Sequence, residues 1–431
     1  MSERSYPSLR IARLVISNFR TFHGPTEILL SSGGVADEMP VFHGGNGAGK
    51  SNAIAAIELF FQAAHYWLNA RLQTAGSIGQ PQHIRVPWDS SQPFRVRSRD
   101  WPPNIRESQF IELGFADGGC FRMVFMPAGN DVVLRLEVPD SHGQMKVLYE
   151  DERTNHYKEI ARLIGRFATP RGPGSQPLAH MDARRREDPN VIHGAPGSPL
   201  SSTLLVRLVE LSTSLNPQDT ERWRAFVELG GRLGSLRGRE MYVMRTEQGV
   251  DLRFEIRGRQ ILRYTELSSG EQQFLAMCAA IVTSRASIVA LEEPEISLHP
   301  DNQELMRDVL LEQVRSGLVD QILLESHVPV FDGPEVIRFR RSEQGATEVS
   351  REPSRPKDAD LSAQAREAGA KKEWVTSDGY TRLPKEMRSD LGLQTGGYLW
   401  FLRPTPERQW EAWTADQLDG RFGWKDEEQE K

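Results

Sequence analysis

The chain has 431 residues, 26% of them charged and 38% hydrophobic, with a formal net charge of −6. That length holds one large core plus a smaller domain, and the slight acidity excludes a global basic field for nucleic acid or an anionic membrane. Two cysteines, Cys120 and Cys278, fit a reducing cytosol rather than a disulfide framework, and no apolar run is long enough to span a bilayer, so a soluble cytoplasmic protein is expected.

Residues 9–30 read as two strands, LRIARLVIS and TEILL, flanking Asn18-Phe19-Arg20. A short strand at Met39–Phe42 runs into Gly44-Gly45-Asn46-Gly47-Ala48-Gly49-Lys50-Ser51, and helical apolar spacing follows from Ala53 to Phe61 and on to Leu72. Residues 76–107 are loop-like, with Pro81, Pro87, Pro93, Pro102 and Pro103. From Gln109 to Val138 the pattern alternates as strands do, with turns at Asp117-Gly118-Gly119 and Gly129-Asn130.

Ten of the thirty residues 170–199 are Gly or Pro, with Arg184-Arg185-Arg186 among them. Such a stretch buries too little apolar area to offset its ordering entropy, so a mobile surface loop is expected; the sharper reading is a basic loop that grips nucleic acid or a partner. Helical patterns at Leu200–Ser214 and Asp219–Leu233 precede three strands, REMYVMR, VDLRFEIR and ILRY. Ser268, Ser269 and Gly270 then cap a helix with apolar Phe274, Leu275, Cys278, Ile281 and Val282. Ile288–Leu291 reads as a buried parallel strand, and Glu292 and Glu293 stand at its carboxyl end, where open α/β sheets place ligands. Past Arg340 the chain turns polar: 343–373 reads as a linker and 374–431 as a small module.

The octet at 44–51 fits the phosphate-loop pattern G-x-x-x-x-G-K-[ST], in the strand–loop–helix context that pattern requires. Its backbone can wrap phosphates, Lys50 can reach the outer ones, and the Ser51 hydroxyl can ligate Mg²⁺. By chance the pattern arises in roughly one or two chains per hundred of this size. Its occurrence in order with a capped turn and a carboxylate-tipped strand makes coincidence a poor explanation. A helix start such as the one at 268–270 is itself an anion site.

Taken together, LSSGEQ resembles the ABC-type signature, LEEPEISLHP a Walker B strand with its D-loop, and ILLESHVPVF a switch-histidine strand. With ISNFRTF near the start and GKSN, the set resembles the RecF/OLD/SMC branch of ABC-type ATPases, including the short AAA-type ATPases of prokaryotic defence systems. The resemblance covers about 9–70 and 200–340 and implies an α/β P-loop core (1–342) with a flanking antiparallel β-layer and a helical lobe. No heptad run separates Lys50 from Ser269, so the compact RecF/OLD-like arrangement fits better than long coiled-coil arms.

The resemblance implies that Gly44–Ser51 and Asn52 hold ATP, with Mg²⁺ on Ser51 and, through water, on Glu292. The family prefers aspartate where Glu292 stands. It further implies Glu293 as the base or water-orienting carboxylate, His327 on the γ-phosphate, and Arg20 near the nucleotide. Ser268, Ser269 and Gly270 would close over a partner protomer's ATP in a head-to-tail dimer. Gln62 and Gln109 are both open as the glutamine-loop residue.

Residues 378–400 resemble an AbrB-like swapped-hairpin module. Six Lys/Arg against seven Asp/Glu in 374–424 make it a weak phosphate binder, so dimerisation or docking is the expected role. The tryptophans at 400, 410, 413 and 424 read as that module's core or an interface patch, with core the default. Asp358-Ala359-Asp360 lacks a preceding apolar strand, so no nuclease in cis is expected. By analogy the leading role is an ATPase subunit controlling a separately encoded effector in an anti-phage defence or DNA-surveillance complex. The alternatives are a RecF-like DNA-binding repair ATPase and an ATP-tuned AbrB-like regulator.

Overall fold

The computed structural model describes residues 8–74, 84–91, 94–101, 109–140, 142–147, 177–181, 202–246, 249–255, 261–333 and 335–353. It also describes 383, 385–393, 399–402, 411–413 and 417. The chain divides into two units, Met1–Ser354 and Arg355–Lys431.

In chain order the first unit runs β1 (Ile11–Ser17), β2 (Thr26–Leu29), β3 (Ser31–Ser32), β4 (Val35–Ala36), β5 (Val41–His43) and α1 (Lys50–Thr74). Then come β6 (Ile84–Pro87), β7 (Gln109–Phe115), β8 (Cys120–Ala128), β9 (Asp131–Pro139), β10 (Met145–Val147) and β11 (Leu178–Met181). Next are α2 (Ser202–Thr213), α3 (Pro217–Gly230), β12 (Glu240–Thr246), β13 (Gly249–Glu255), β14 (Leu262–Arg263) and α4 (Ser269–Thr283). β15 (Ile288–Glu292), α5 (Pro300–Arg315), β16 (Gln321–Glu325), β17 (Glu335–Arg341) and β18 (Thr347–Pro353) complete it.

A six-stranded sheet of order β11-β15-β16-β5-β17-β18 organises the unit; it is parallel except for β18, which closes the edge as a hairpin with β17. Strand periodicity explains its double burial. Ile288 and Ala290 face one core with Leu323, while Val289 and Leu291 face the other with Ile322 and Leu324. The first core is filled by α1 and by a seven-stranded antiparallel sheet, β10-β9-β8-β7-β1-β2 with β6 on β9. Ala53, Ile54, Ala56, Ile57, Phe60, Phe61, Ala63 and Ala64 are all buried, because α1 lies between two sheets and needs a wide apolar face. The second core is the helical lobe, where Leu208, Phe226 and Phe274 pack with Tyr264 of the β12–β14 side. The α/β architecture expected from the motifs is the one present.

Three expectations differ. Residues 170–199 contain a strand, β11, whose four residues pair in parallel with Leu178 opposite Ile288 and Met181 opposite Leu291. Its backbone groups gain sheet partners that composition alone does not reveal. Residues 84–87, expected as loop, form β6 against β9. The core also extends beyond residue 342, since β18 pairs along all of β17. A polar edge strand that carries Glu, Arg and Pro guards a sheet against further pairing and so reads as linker.

In the second unit the described residues form a short helix, α6 (Lys385–Asp390), and a hairpin of β19 (Trp400–Leu402) with β20 (Glu411–Trp413). Arg184–Arg186, Asp358–Asp360, Trp374, Trp410 and Trp424 lie outside the described residues. Among the described residues, no helix is long and apolar enough to cross a membrane.

Candidate functional site

The loop between β5 and α1 lies at the carboxyl ends of the parallel strands. Asn46 to Asn52 line a cavity of about 650 Å³ with Glu292, Glu293, Ile296 and Glu325. A cavity of that size suits a small-molecule ligand. Lys50 is the second-last residue of the phosphate-loop pattern and starts α1; its ammonium is buried and donates to the Gly44 carbonyl at 2.7 Å and that of Gly45 at 3.3 Å. Gly44 and Gly45 thus hold the lysine, while Asn46–Asn52 line the cavity.

The loop is braced from across the sheet. Gly49 has φ +112°, and a Cβ there would come within 2.3 Å of the Thr347 hydroxyl, so only glycine fits. Thr347, on β18, donates that hydroxyl to the Ala48 carbonyl at 2.9 Å and lies 2.7 Å from the Thr21 hydroxyl. Arg341 donates to the Gly47 carbonyl at 2.9 Å. Arg20, with φ +51°, donates to Asn52 Oδ1 at 3.1 Å and pairs with Asp100 at 3.2 Å. Asn52 in turn donates to Thr21 at 2.9 Å. Arg20 is therefore joined to the cavity wall through Asn52.

The carboxylates divide into two clusters. Glu325, the last residue of β16, accepts from Ser51 Oγ at 2.7 Å and lies 3.3 Å from Lys50 Nζ. Burial raises its pKa, against the opposing pull of Ser51 and Lys50 and with help from the Glu292 charge. Glu293 has φ +46°, a costly conformation for a side chain of its size, and its N–H is fixed by the Glu325 carbonyl at 2.8 Å. His327 Nε2 sits 3.2 Å from Glu293 Oε1, and the His327 N–H donates to Glu295 at 2.7 Å. Ligand atoms of Glu293, Glu325 and His327 all lie within 4.8 Å of one another.

Glu292 takes a separate partner. His180 Nε2 is 3.0 Å from its carboxylate, and the other ring nitrogen is 3.4 Å from Glu58 on α1. Burial opposes charge on His180, but the hydrogen bonds and charges of Glu292 and Glu58 outweigh it and raise the pKa to about 9.

Ser268 caps α4: its side chain and Glu271 exchange hydrogen bonds in a capping box, with the Ser268 N–H donating to Glu271 at 2.8 Å. A Cβ on Gly270 would lie 2.6 Å from the Ser297 carbonyl, so the signature turn is packed against the turn that follows Glu293. Ser268, Ser269 and Gly270 do not line the cavity; they adjoin it through residues 293–298. Of the two glutamine candidates, Gln62 bonds Glu58 on the exposed side of α1 and Gln109 is buried at the start of β7; neither lines the cavity.

Two site residues escaped sequence reading. Glu325 stands two residues before His327, and its acid at a strand end was a usable signal. His180 was hidden within a Gly/Pro-rich stretch, and only the pairing of β11 with β15 brings it here.

The donor set suits Mg²⁺. Ser51, Glu292 and Glu325 offer hard oxygen ligands in one cavity, and the Ser51 hydroxyl and Glu325 carboxylate converge to 2.7 Å.

Residues 199–332 match the family model described as "AAA domain, putative AbiEii toxin, Type IV TA system". Comparison with curated proteins gives no match. Among solved structures, an Smc head bound to the C-winged helix domain of ScpA is 15% identical, with TM-score 0.41, over 81% of this chain and 99% of that one. The SMC head domain from Thermotoga maritima is 14% identical, with TM-score 0.38, over 79% and 98%. An Smc head with an extended coiled coil, bound to the C-terminal domain of ScpA derived from Pyrococcus furiosus, is 14% identical, with TM-score 0.41, over 83% and 100%. The family match spans the helix that follows Ser268, the carboxylate strand β15 and His327, and the phosphate loop follows β5, which lies in the same sheet.

Proposed function

We propose that this chain binds and hydrolyses ATP, dimerises around it head to tail, and so controls a separately encoded effector in a defence or DNA-surveillance complex. The observation that carries the reading is the shared cavity: phosphate loop, Ser51 and three strand-end carboxylates converge on one space. The description of the matched family names a toxin system, which supports an effector-linked role over housekeeping repair.

The phosphates take the amides of Asn46–Ser51 and the α1 N-terminus, whose dipole favours anions. Lys50 exchanges Glu325 for the outer phosphates. Bound Mg²⁺, held by Ser51 and Glu292 with Glu325 beside them, would neutralise charge on the phosphate oxygens. Glu293 orients the attacking water and accepts its proton, while His327, 3.2 Å away, fixes that carboxylate and reaches toward the γ-phosphate. Gly270 ties the signature turn to residues 293–298, so the start of α4 moves with the carboxylate loop. Presented to a second copy, it offers N–H groups and the Ser268 hydroxyl to that copy's γ-phosphate. ATP then adds to the interface, and hydrolysis weakens it.

Light scattering on residues 1–354, with and without ATP–Mg²⁺, tests this. Doubling of mass with ATP and its loss in Lys50→Ala are the expected results; an unchanged mass with bound ATP would overturn the dimer.

A further inference from the structure

We infer that His180 is a positioning residue that aims the Glu292 carboxylate into the cavity, with β11 present in the sheet to deliver it. The inference rests on reading the cavity as an ATP–Mg²⁺ site.

The argument begins with register. β11 pairs in parallel with β15, placing His180 opposite Ala290. Residues two apart on a strand share a face, so His180 projects on the same side as Ala290 and Glu292, toward α1. The imidazole spans the gap between the two elements, with Nε2 3.0 Å from Glu292 and Nδ1 3.4 Å from Glu58. The two contacts are unequal in setting. The Glu292 side chain is 12% exposed, whereas that of Glu58 is 42% exposed and also accepts from Gln62. The short, sheltered contact is the one that faces the cavity.

Glu292 needs such a guide. It is one methylene longer than the aspartate the family prefers, so it has an additional torsion to fix. Glu325 supports Ser51 and Lys50, and His327 supports Glu293. His180 supplies the corresponding support for the third carboxylate. Groups that orient metal-binding carboxylates typically change metal affinity 10–100-fold when removed.

The variants exploit side-chain reach. In His180→Gln the amide nitrogen sits near the place of Nε2 and keeps a donor for Glu292. In His180→Asn it sits near Nδ1, retaining polarity and the Glu58 contact while abandoning Glu292. Binding of a fluorescent ATP analogue is followed while Mg²⁺ is titrated into the full-length protein. His180→Asn is expected to raise the Mg²⁺ concentration for half-maximal binding by about 10–100-fold. His180→Gln and Glu58→Gln are expected to remain within about threefold of wild type on the same scale.

Wild-type Mg²⁺ demand in His180→Asn would overturn the inference, as would an equal rise in His180→Gln with melting temperatures unchanged. Nucleotide binding by the wild type with no dependence on Mg²⁺ would instead remove the reading of the cavity, and the inference with it. That result is visible before any variant is made.

Discussion

Thr347→Val isolates the brace beneath the phosphate loop. The replacement keeps the shape of the side chain but deletes a hydroxyl that is 4% exposed as part of its residue and contacts the Ala48 carbonyl at 2.9 Å and Thr21 at 2.7 Å. Thr21 retains Asn52 as a donor, so the Ala48 carbonyl is the group left short. A buried acceptor stripped of its partner costs about 1–3 kcal/mol, and we take about 2 kcal/mol. At about 2.1 cal/mol/K per residue, unfolding the Met1–Ser354 unit carries about 0.74 kcal/mol/K of entropy. The melting temperature should fall by about 3 °C. Thr347→Ser keeps the hydroxyl and loses one buried methyl, worth about 1 kcal/mol, so its drop should be about half as large. Thermal denaturation followed by circular dichroism reads both. If Thr347→Val melted at or above the wild-type temperature, the hydroxyl would not be bracing the loop.

Glu293→Gln should slow ATP hydrolysis by about 10²–10⁴-fold while retaining nucleotide, whereas Lys50→Ala should lose the nucleotide itself; turnover and retained ATP measured side by side separate them. Burial, aided by the Glu112 charge, pushes the Cys120 thiol up to about 12, and burial pushes Cys278 up as well. A raised thiol pKa means less thiolate, about 10⁻⁴ of Cys120 at pH 8, so iodoacetamide should label neither cysteine until denaturant is added, as mass spectrometry would register. Deleting 355–431 should leave ATP affinity unchanged, because every described contact of the cavity lies within Met1–Ser354; a calorimetric titration showing lost binding would refute this.

What could be read from sequence was what is local. The phosphate loop, the capped turn at Ser268 and the apolar run Ile288–Leu291 each carry their geometry within a dozen residues. The alternation from Gln109 to Val138 likewise gave β7, β8 and β9. What could not be read depends on distant pairing. LAHM at 178–181 has little strand character of its own and becomes β11 because β15 offers an open edge. TEVSREP becomes β18 because it returns on β17, and its polar residues suit an edge. His180 entered the site by the same route, through register rather than motif, whereas Glu325 stands at a strand end inside the ILLESHVPVF stretch.

The seating of β5 also dictates an order of assembly during synthesis. β5 hydrogen-bonds β16 on one side and β17 on the other, and about 280 residues separate His43 from Gln321. At 5–20 residues per second a ribosome takes roughly 14 to 56 s to make that interval. Throughout it the phosphate-loop strand has been made but neither neighbour exists. The antiparallel layer is different: β7, β8 and β9 follow one another as hairpins and β1 joins them after about a hundred residues, so it can form while the rest is still being translated. Nascent chains halted before residue 321 should therefore hold a folded β-layer but no nucleotide, with the apolar face of α1 still seeking its second sheet.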